Sequence, residues 1–236
     1  MISVVIPAYN EEKYISNCLD SIVRQESAQN LEVIVVDNNS TDNTLKVIQK
    51  FRDRLNLKIV IEKKKGRGAA RSRGFQTAKG DIILGTEADT IVPPDWIEEL
   101  SSKLIDKNVV AVTGPCKFED CSLLIKIIMN QFQPFGMVLY RVLFGYYWLS
   151  GFNFAIKKSA YLKSGGFNPE LNTFDDIELG EKIKRFGKVV FIRNTPVIVS
   201  GRRFKKGLFE GLSSYFKPFI EYSLFHKKSV SLDDPR

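Results

Sequence analysis

The residues of this chain best placed to do chemistry are acids in pairs. Glu87 and Asp89 stand two positions apart, just after the short apolar run Ile82-Ile83-Leu84 and before Pro93-Pro94. In an open parallel sheet, ligands gather in the crevice beyond the carboxyl ends of the strands. Carboxylates spaced i, i+2 at such an end suit a hard divalent cation that also holds a phosphate group. A second group, Asp175-Asp176-Ile177-Glu178-Leu179, opens a segment in which Ile183 and Phe186 continue a helical spacing. Both groups have plain alternatives. An acid past a strand also caps a turn or is simply solvated, and acids in a first helical turn are favoured by capping and by the macrodipole.

The cations lie elsewhere. Lys63-Lys64-Lys65-Gly66-Arg67-Gly68-Ala69-Ala70-Arg71-Ser72-Arg73-Gly74 interleaves small residues with arginines. Most of such a run is a solvated face. At a helix start, however, the small residues allow close backbone approach to a diphosphate, with guanidinium forks nearby. It is neither a P-loop nor a dinucleotide fingerprint, because Gly-Lys-Ser/Thr and Gly-x-Gly-x-x-Gly are both missing. The net charge of +8 over 236 residues suits an anionic partner: nucleic acid, an anionic membrane surface or a phosphorylated small molecule. With few aromatics in the basic patch and no recognition motif, nucleic acid is the weakest of these.

The elements that must position these groups alternate. Ile2–Ile6, Leu31–Val36, Leu57–Ile61 and Ile82–Leu84 read as short buried strands. Between them, helical spacing follows Asn10, an expected N-cap, and again follows Thr41 or Asp42. This alternation predicts βαβ units and a parallel sheet with right-handed crossovers. Tyr9 to Glu11, Asp37 to Ser40 and the Glu87/Asp89 pair then share one sheet edge. Further on, a helix is expected from about Asp95 and a strand over 109–113. An apolar helical stretch over 123–149 should break near Pro134, and a strand should occupy 150–156. A short helix from Ser159, a turn over 165–169 and strands at 189–192 and 197–199 complete the reading.

Cys18, Cys116 and Cys121 form no disulfide pattern, and His226 alone makes a Cys/His zinc site improbable. The chain starts directly on a strand-like run, with no signal peptide in view. The apolar stretch 123–149 is interrupted by Lys126, Pro134 and Arg141, so no transmembrane helix is expected. A cytoplasmic location, with peripheral contact at the cytoplasmic membrane face, is the expectation.

Taken in order, these pieces resemble glycosyltransferase family 2, the inverting nucleotide-sugar enzymes of GT-A fold. The resemblance is carried by Val5-Ile6-Pro7-Ala8-Tyr9-Asn10-Glu11-Glu12, Val35-Val36-Asp37-Asn38-Asn39-Ser40-Thr41-Asp42 and Gly68 to Gly74. Glu87-Ala88-Asp89, Gly165-Gly166-Phe167 and Asp175 to Leu179 continue it. It implies a Rossmann-like, mostly parallel central sheet with helices on both faces. The glycosyltransferase domain would span 1–205, with a donor half over 1–90 and an acceptor half over 91–205, followed by an amphipathic tail over 206–236. It also implies that Pro7, Ala8, Tyr9 and Glu11 line the nucleoside pocket of a UDP- or GDP-sugar. Asp37 would accept from the base, Arg71 would contact base or diphosphate, Glu87 and Asp89 would contact the nucleotide-sugar, and Asp89 would bind the divalent metal (Mn²⁺ or Mg²⁺). Asp176 matches the catalytic base. The acceptor is a sugar, glycolipid or lipid phosphate, in polysaccharide or glycolipid biosynthesis.

Two departures stand out. Glu87 occupies a position where the family more often has Asp. The Gln-x-x-Arg-Trp motif of processive members is replaced by Arg202-Arg203-Phe204, which argues for addition of a single sugar and leaves both arginines as candidate diphosphate contacts. Competing readings are a sugar-1-phosphate nucleotidylyltransferase, a non-catalytic nucleotide-sugar-binding homologue and a membrane scaffold with a vestigial pocket. The first would want a Gly-rich loop where Pro7-Ala8-Tyr9-Asn10 stands. In the tail, Leu208, Leu212, Tyr215, Phe216 and Phe219 form one helical stripe, with Lys205, Lys206, Lys227 and Lys228 around it. That stripe suits an anionic bilayer surface, the protein's own core or a second subunit of a homo-oligomer.

Overall fold

The computed structural model describes residues 1–26, 30–204, 207, 209–211 and 213. The tail stripe and its lysines fall outside the described residues. Seven strands form the main sheet: β1 (Ile2–Ala8), β2 (Leu31–Asp37), β3 (Leu57–Ile61), β4 (Ile82–Gly85), β6 (Val109–Thr113), β8 (Phe154–Lys157) and β9 (Lys188–Phe191). Their order is β3-β2-β1-β4-β8-β6-β9. Every pairing is parallel except those of β8, which runs antiparallel between β4 and β6. A smaller sheet joins β5 (Thr90–Ile91), β10 (Val197–Ser200) and β7 (Cys116–Glu119) in the order β5-β10-β7.

The sequence explains why the sheet is covered on both sides. Along β1, Val4 and Ile6 point into one apolar cluster and Val5 into the other, and β2 splits Val33 and Val35 from Ile34 and Val36 in the same way. This is the period of two expected of a strand buried on both faces. One cluster is completed by α1 (Ile15–Val23), α2 (Thr44–Gln49) and α4 (Trp96–Lys103). The other is completed by α3 (Arg67–Thr77), α6 (Lys158–Lys163) and α7 (Asp175–Ile183). In the second cluster Phe75 stacks near Phe154, Tyr161 and Phe167, with ring centroids 4.9–5.7 Å apart. The expected α/β fold, mostly parallel with helices on both faces, is the fold observed.

Four expectations are corrected. Asn10 does not cap α1; it adopts φ 52° and its Oδ1 accepts from the Thr41 N–H at 2.8 Å, tying the first loop to the second. β1 continues through Pro7 to Ala8, because β1 has only β2 beside it beyond Val5, and an edge position tolerates a missing N–H. α5 (Leu123–Phe144) does not break at Pro134: it is one helix capped by the Ser122 side chain. The strand expected over 150–156 begins only at Phe154, because residues 150–153 make a tight turn in which the Asn153 N–H donates to the Ser150 carbonyl at 2.8 Å.

Candidate active site

The carboxyl ends of β1, β2 and β4 meet at one edge, stitched by hydrogen bonds between loops. The Asn10 N–H donates to Ser40 Oγ at 3.0 Å, and the Glu11 N–H donates to Thr44 Oγ1 at 2.7 Å. Asn38, at the end of β2, donates to the Glu62 and Lys64 carbonyls and accepts from the Gly66 N–H, all at 2.8 Å. The basic loop is thereby fixed at the start of α3. Asp37 is buried, and its Oδ1 has no hydrogen-bond partner among the described residues. A buried acceptor left open costs about 1–3 kcal/mol, so a ligand N–H is the natural complement. Pro7 and Ala8 lie next to it on β1, in register with Val36 and Asp37. Tyr9 sits beside Lys65, whose Nζ is 3.0 Å from its hydroxyl and 4.6 Å from its ring centroid.

Five carboxylates converge on two guanidinium groups. Arg71, on the third position after Gly68 in α3, is only 3 % exposed and pairs with Glu87 through Nη2. Its Nη1 contacts Asp175 at 2.8 Å and lies 4.0 Å from Asp176. Arg202, in the 3₁₀ turn Arg202–Phe204, grips Glu11 with both nitrogens at 2.7 and 2.9 Å and holds Asp89 Oδ2 at 2.9 Å. Arg203 lies half-buried in the same turn. In this structure Arg71 is thus engaged with the two acid elements, and Asp89 is engaged with Arg202.

The electrostatics follow. Burial raises the Asp89 carboxyl to about 6; Arg202 pulls it down, while Glu87 and Glu11 push it up. Burial likewise raises Asp176 to about 6, opposed by Arg71 and reinforced by Asp175. Both arginines are held firmly charged by these acids, against the cost of their burial. Asp176 is aimed by the backbone: its Oδ2 accepts from the Gly151 N–H and its Oδ1 from the Ile177 N–H, each at 2.9 Å. Gly151 is required there, since a Cβ would lie 2.8 Å from Asp176 Oδ2 and would collide with the Arg71 guanidinium.

Whether these residues fit a divalent cation can be judged from the donor set. Among the described residues no group of three or more His, Cys, Asp or Glu forms a protein cage. Yet the site offers carboxylate oxygens, from five side chains set against two guanidinium groups. Such a donor set fits a hard cation completed by ligand oxygens.

Sequence reasoning placed Glu11, Asp37, Arg71, Glu87, Asp89, Asp176 and Arg202 at one site; the fold gathers Glu11, Glu87, Asp89 and Asp176 around Arg71 and Arg202, while Asp37 stands at the neighbouring end of β2. That reasoning missed Gly151 and the role of Asp175 as the buried partner of Arg71. The only sequence signal for the latter was the doubled acid itself.

Comparison with known proteins agrees with this geometry. The family model "Glycosyl transferase family 2" matches residues 3–165. Glycosyltransferase GlyG of Streptococcus pneumoniae is 37 % identical over 116 residues, 48 % of this chain and 38 % of GlyG. Poly(ribitol-phosphate) beta-N-acetylglucosaminyltransferase TarS of Staphylococcus aureus is 34 % identical over 109 residues, 45 % of this chain and 19 % of TarS. These matches therefore span well under half of either relative. The structure of S. aureus TarS 1–349 with UDP-GlcNAc superposes with a TM-score of 0.69 at 22 % identity, covering 94 % of this chain and 63 % of that one. The mannosyltransferase PcManGT of Pyrobaculum calidifontis, with GDP-Man and Mn²⁺, gives 0.65 at 24 % identity, covering 84 % and 56 %. At these identities the structural likeness speaks for the fold, which is the GT-A architecture. The family follows from the sequence match across most of the chain together with the acids gathered at the strand ends: this protein belongs to glycosyl transferase family 2.

Proposed function

We propose that this chain moves one sugar from a nucleoside-diphosphate sugar, UDP- or GDP-linked, to a hydroxyl or lipid-phosphate acceptor, with inversion at the anomeric carbon. The observation that carries the reading is the bridge formed by Arg71, which joins the donor-side acid Glu87 to the helix start bearing Asp176. A single displacement needs leaving-group stabilisation and a base near one carbon, and two acid elements joined through one arginine support that reading.

The nucleoside lies against Pro7, Ala8 and Tyr9, with Asp37 Oδ1 accepting from the base. Asp89 would hold a divalent ion, Mn²⁺ or Mg²⁺, which when bound would supply electrostatic stabilisation of the departing diphosphate. Glu11 and Glu87 keep Arg202 and Arg71 in place, and Arg202 and Arg203 lie within the same region to meet the diphosphate. Asp176 takes the acceptor proton. A carboxyl raised to about 6 is ionised at neutral pH yet basic enough to do so. With a lipid phosphate, already anionic, that assistance matters little. The same reading places the protein in polysaccharide or glycolipid synthesis, in peripheral contact with a membrane.

The test is release of nucleoside diphosphate from a panel of UDP- and GDP-sugars, with Mn²⁺ or Mg²⁺ and with chelator. Cation-dependent release from one donor supports the reading. With pyrophosphate added, its consumption together with release of nucleoside triphosphate and sugar 1-phosphate would favour nucleotidylyl transfer instead. Donor binding without turnover, with any acceptor, would favour a non-catalytic homologue.

A further inference from the structure

The helix α5 turns its apolar side outward. Ile125, Met129 and Met137 are its buried residues, whereas Leu124 is 65 % exposed, Phe135 63 % and Val142 75 %. Ile127, Phe132 and Leu139 extend the exposed stripe along the helix. Polar groups face the protein instead: Asn130 Oδ1 accepts from the Phe118 N–H, and the amide of Gln133 is buried. At 1.5 Å per residue the 22 residues run about 33 Å. Exposed Gln131 interrupts the stripe near its middle, yet an apolar surface this extended marks an interaction site rather than scattered exposure.

We propose that this face of α5 lies on an anionic bilayer surface. Three observations favour lipid over another protein chain. The helix contains no carboxylate, and its two charged residues, Lys126 and Arg141, are cations; the nearest acids in sequence, Glu119 and Asp120, precede it. The net charge is +8, which attracts an anionic surface and opposes face-to-face pairing of two copies. The C-terminal end carries an aromatic cluster of the kind that settles at headgroup level. There Tyr140 packs against Phe144, Tyr146 and Trp148, and Arg141 lies over Tyr147 at 4.9 Å. No described helix is long and apolar enough to cross a membrane, which fits a helix that lies in the interface.

The surface is coupled to the candidate base. From α5 the chain passes through Tyr146 to Gly151, whose N–H holds Asp176, and Tyr146 packs beside Gly180 of α7. A lipid-linked acceptor would enter from this side. That last step rests on the glycosyl-transfer reading; the membrane contact does not.

Vesicle flotation of the full chain, without donor or metal, tests the contact. Phosphatidylcholine vesicles with and without phosphatidylglycerol are compared, with circular dichroism as the check on folding. The wild type is expected to float with the anionic vesicles. Leu124→Glu, Phe135→Glu and Val142→Glu together should reduce binding by at least about tenfold, while Leu124→Met, Phe135→Leu and Val142→Ile should retain it. Arg141→Glu should weaken binding to the anionic vesicles and leave the neutral ones unchanged. Equal flotation of the wild type and the triple Glu variant would overturn the proposal. So would loss caused only by Phe216→Glu with Phe219→Glu in the tail, or a wild-type dimer that the triple Glu variant converts to monomer with no vesicle binding in either. Donor hydrolysis by water should be unchanged in the triple variant. Failure of hydrolysis in every variant would count against sugar transfer and leave the flotation result standing.

Discussion

Arg71 and Arg202 neutralise the same acidic floor from different places. Arg71 rises from α3, where Gly68, Ala69 and Ala70 pack against the sheet and its neighbours, and its guanidinium stacks 5.8 Å from the Phe167 ring. It joins Glu87, after β4, to Asp175, at the start of α7, positions 104 residues apart from it in the second case. Arg202 comes from a short 3₁₀ turn, is 14 % exposed and lies over the Tyr14 ring at 5.1 Å. It reaches back to Glu11, 191 residues away. The first is enclosed by elements of both halves of the chain; the second covers its acids from the outer side. The difference separates a residue that ties distant elements together from one that pairs with acids at the outer side of the site.

The largest expected effect follows from Arg71. Arg71→Ala leaves Glu87 and Asp175 facing each other across a buried gap, and removing one partner of a buried pair costs about 3–5 kcal/mol. For a chain of this size the melting temperature should fall by on the order of 10 °C. Arg202→Ala should cost clearly less. If the two variants melt together, the distinction between them is wrong.

Next comes Asp176→Asn. The amide oxygen can still accept from the Gly151 N–H, so the fold should hold. Turnover on a hydroxyl acceptor should drop by about 10²–10⁴-fold with nucleotide binding retained. Single-turnover kinetics, with binding measured separately by calorimetry, check both parts. A full rate on a hydroxyl acceptor would remove Asp176 from the reaction.

Arg202→Ala sharpens the comparison from the other side. Without its counter-cation, the Asp89 and Glu11 pair becomes more negative. Mn²⁺ binding without nucleotide should then tighten by about tenfold, the size of a unit charge removed a few ångströms away. Titration followed by electron paramagnetic resonance reads this directly. Unchanged affinity would mean that Arg202 and the cation do not compete for Asp89.

Much of this site was legible before any coordinates. Short apolar runs ending in polar residues placed Asp37, Glu87 and Asp89 on one edge, because a parallel sheet sends all such ends the same way. The doubled acid at 175–176 and the small-residue start of α3 were visible as local patterns. What stayed hidden was pairing at a distance: no periodicity links Arg202 to Glu11 or Arg71 to Asp175. The short strands β5 and β7 were missed because two to four residues carry too little alternation. Asn10 read as a helix cap, since an Asn before an apolar repeat looks the same whether its side chain turns inward or bonds the neighbouring loop. Pro134 read as a break, although α5 continues through it.

The smallest expected effect is on stability against pH. The Asp176 carboxyl sits at about 6 in the folded chain against 3.8 for an ordinary aspartate. Between those values the native state binds more protons at this position than the unfolded chain does. Stability contributed here is therefore greatest at low pH and is lost as pH rises through about 6. Asp42 and Glu32 run the other way. Hydrogen bonds from Thr44 and the Glu12 N–H, and from Ser3 with the Lys79 and Gly80 N–H groups, hold both carboxyls below their ordinary values. Their contribution is present above the unfolded pKa and lost as pH falls. The wild type thus sums opposing slopes, and Asp176→Asn deletes one of them. Denaturant titrations at intervals from pH 4 to pH 7 should show the Asn variant gaining on the wild type as pH rises, by on the order of 1 kcal/mol over the range. Activity should move oppositely: with a hydroxyl acceptor the wild-type rate should rise with pH through about 6, because only the ionised carboxylate accepts a proton. A stability difference that stays flat across this range would show that Asp176 titrates as an ordinary carboxyl, and that Arg71 neutralises it fully.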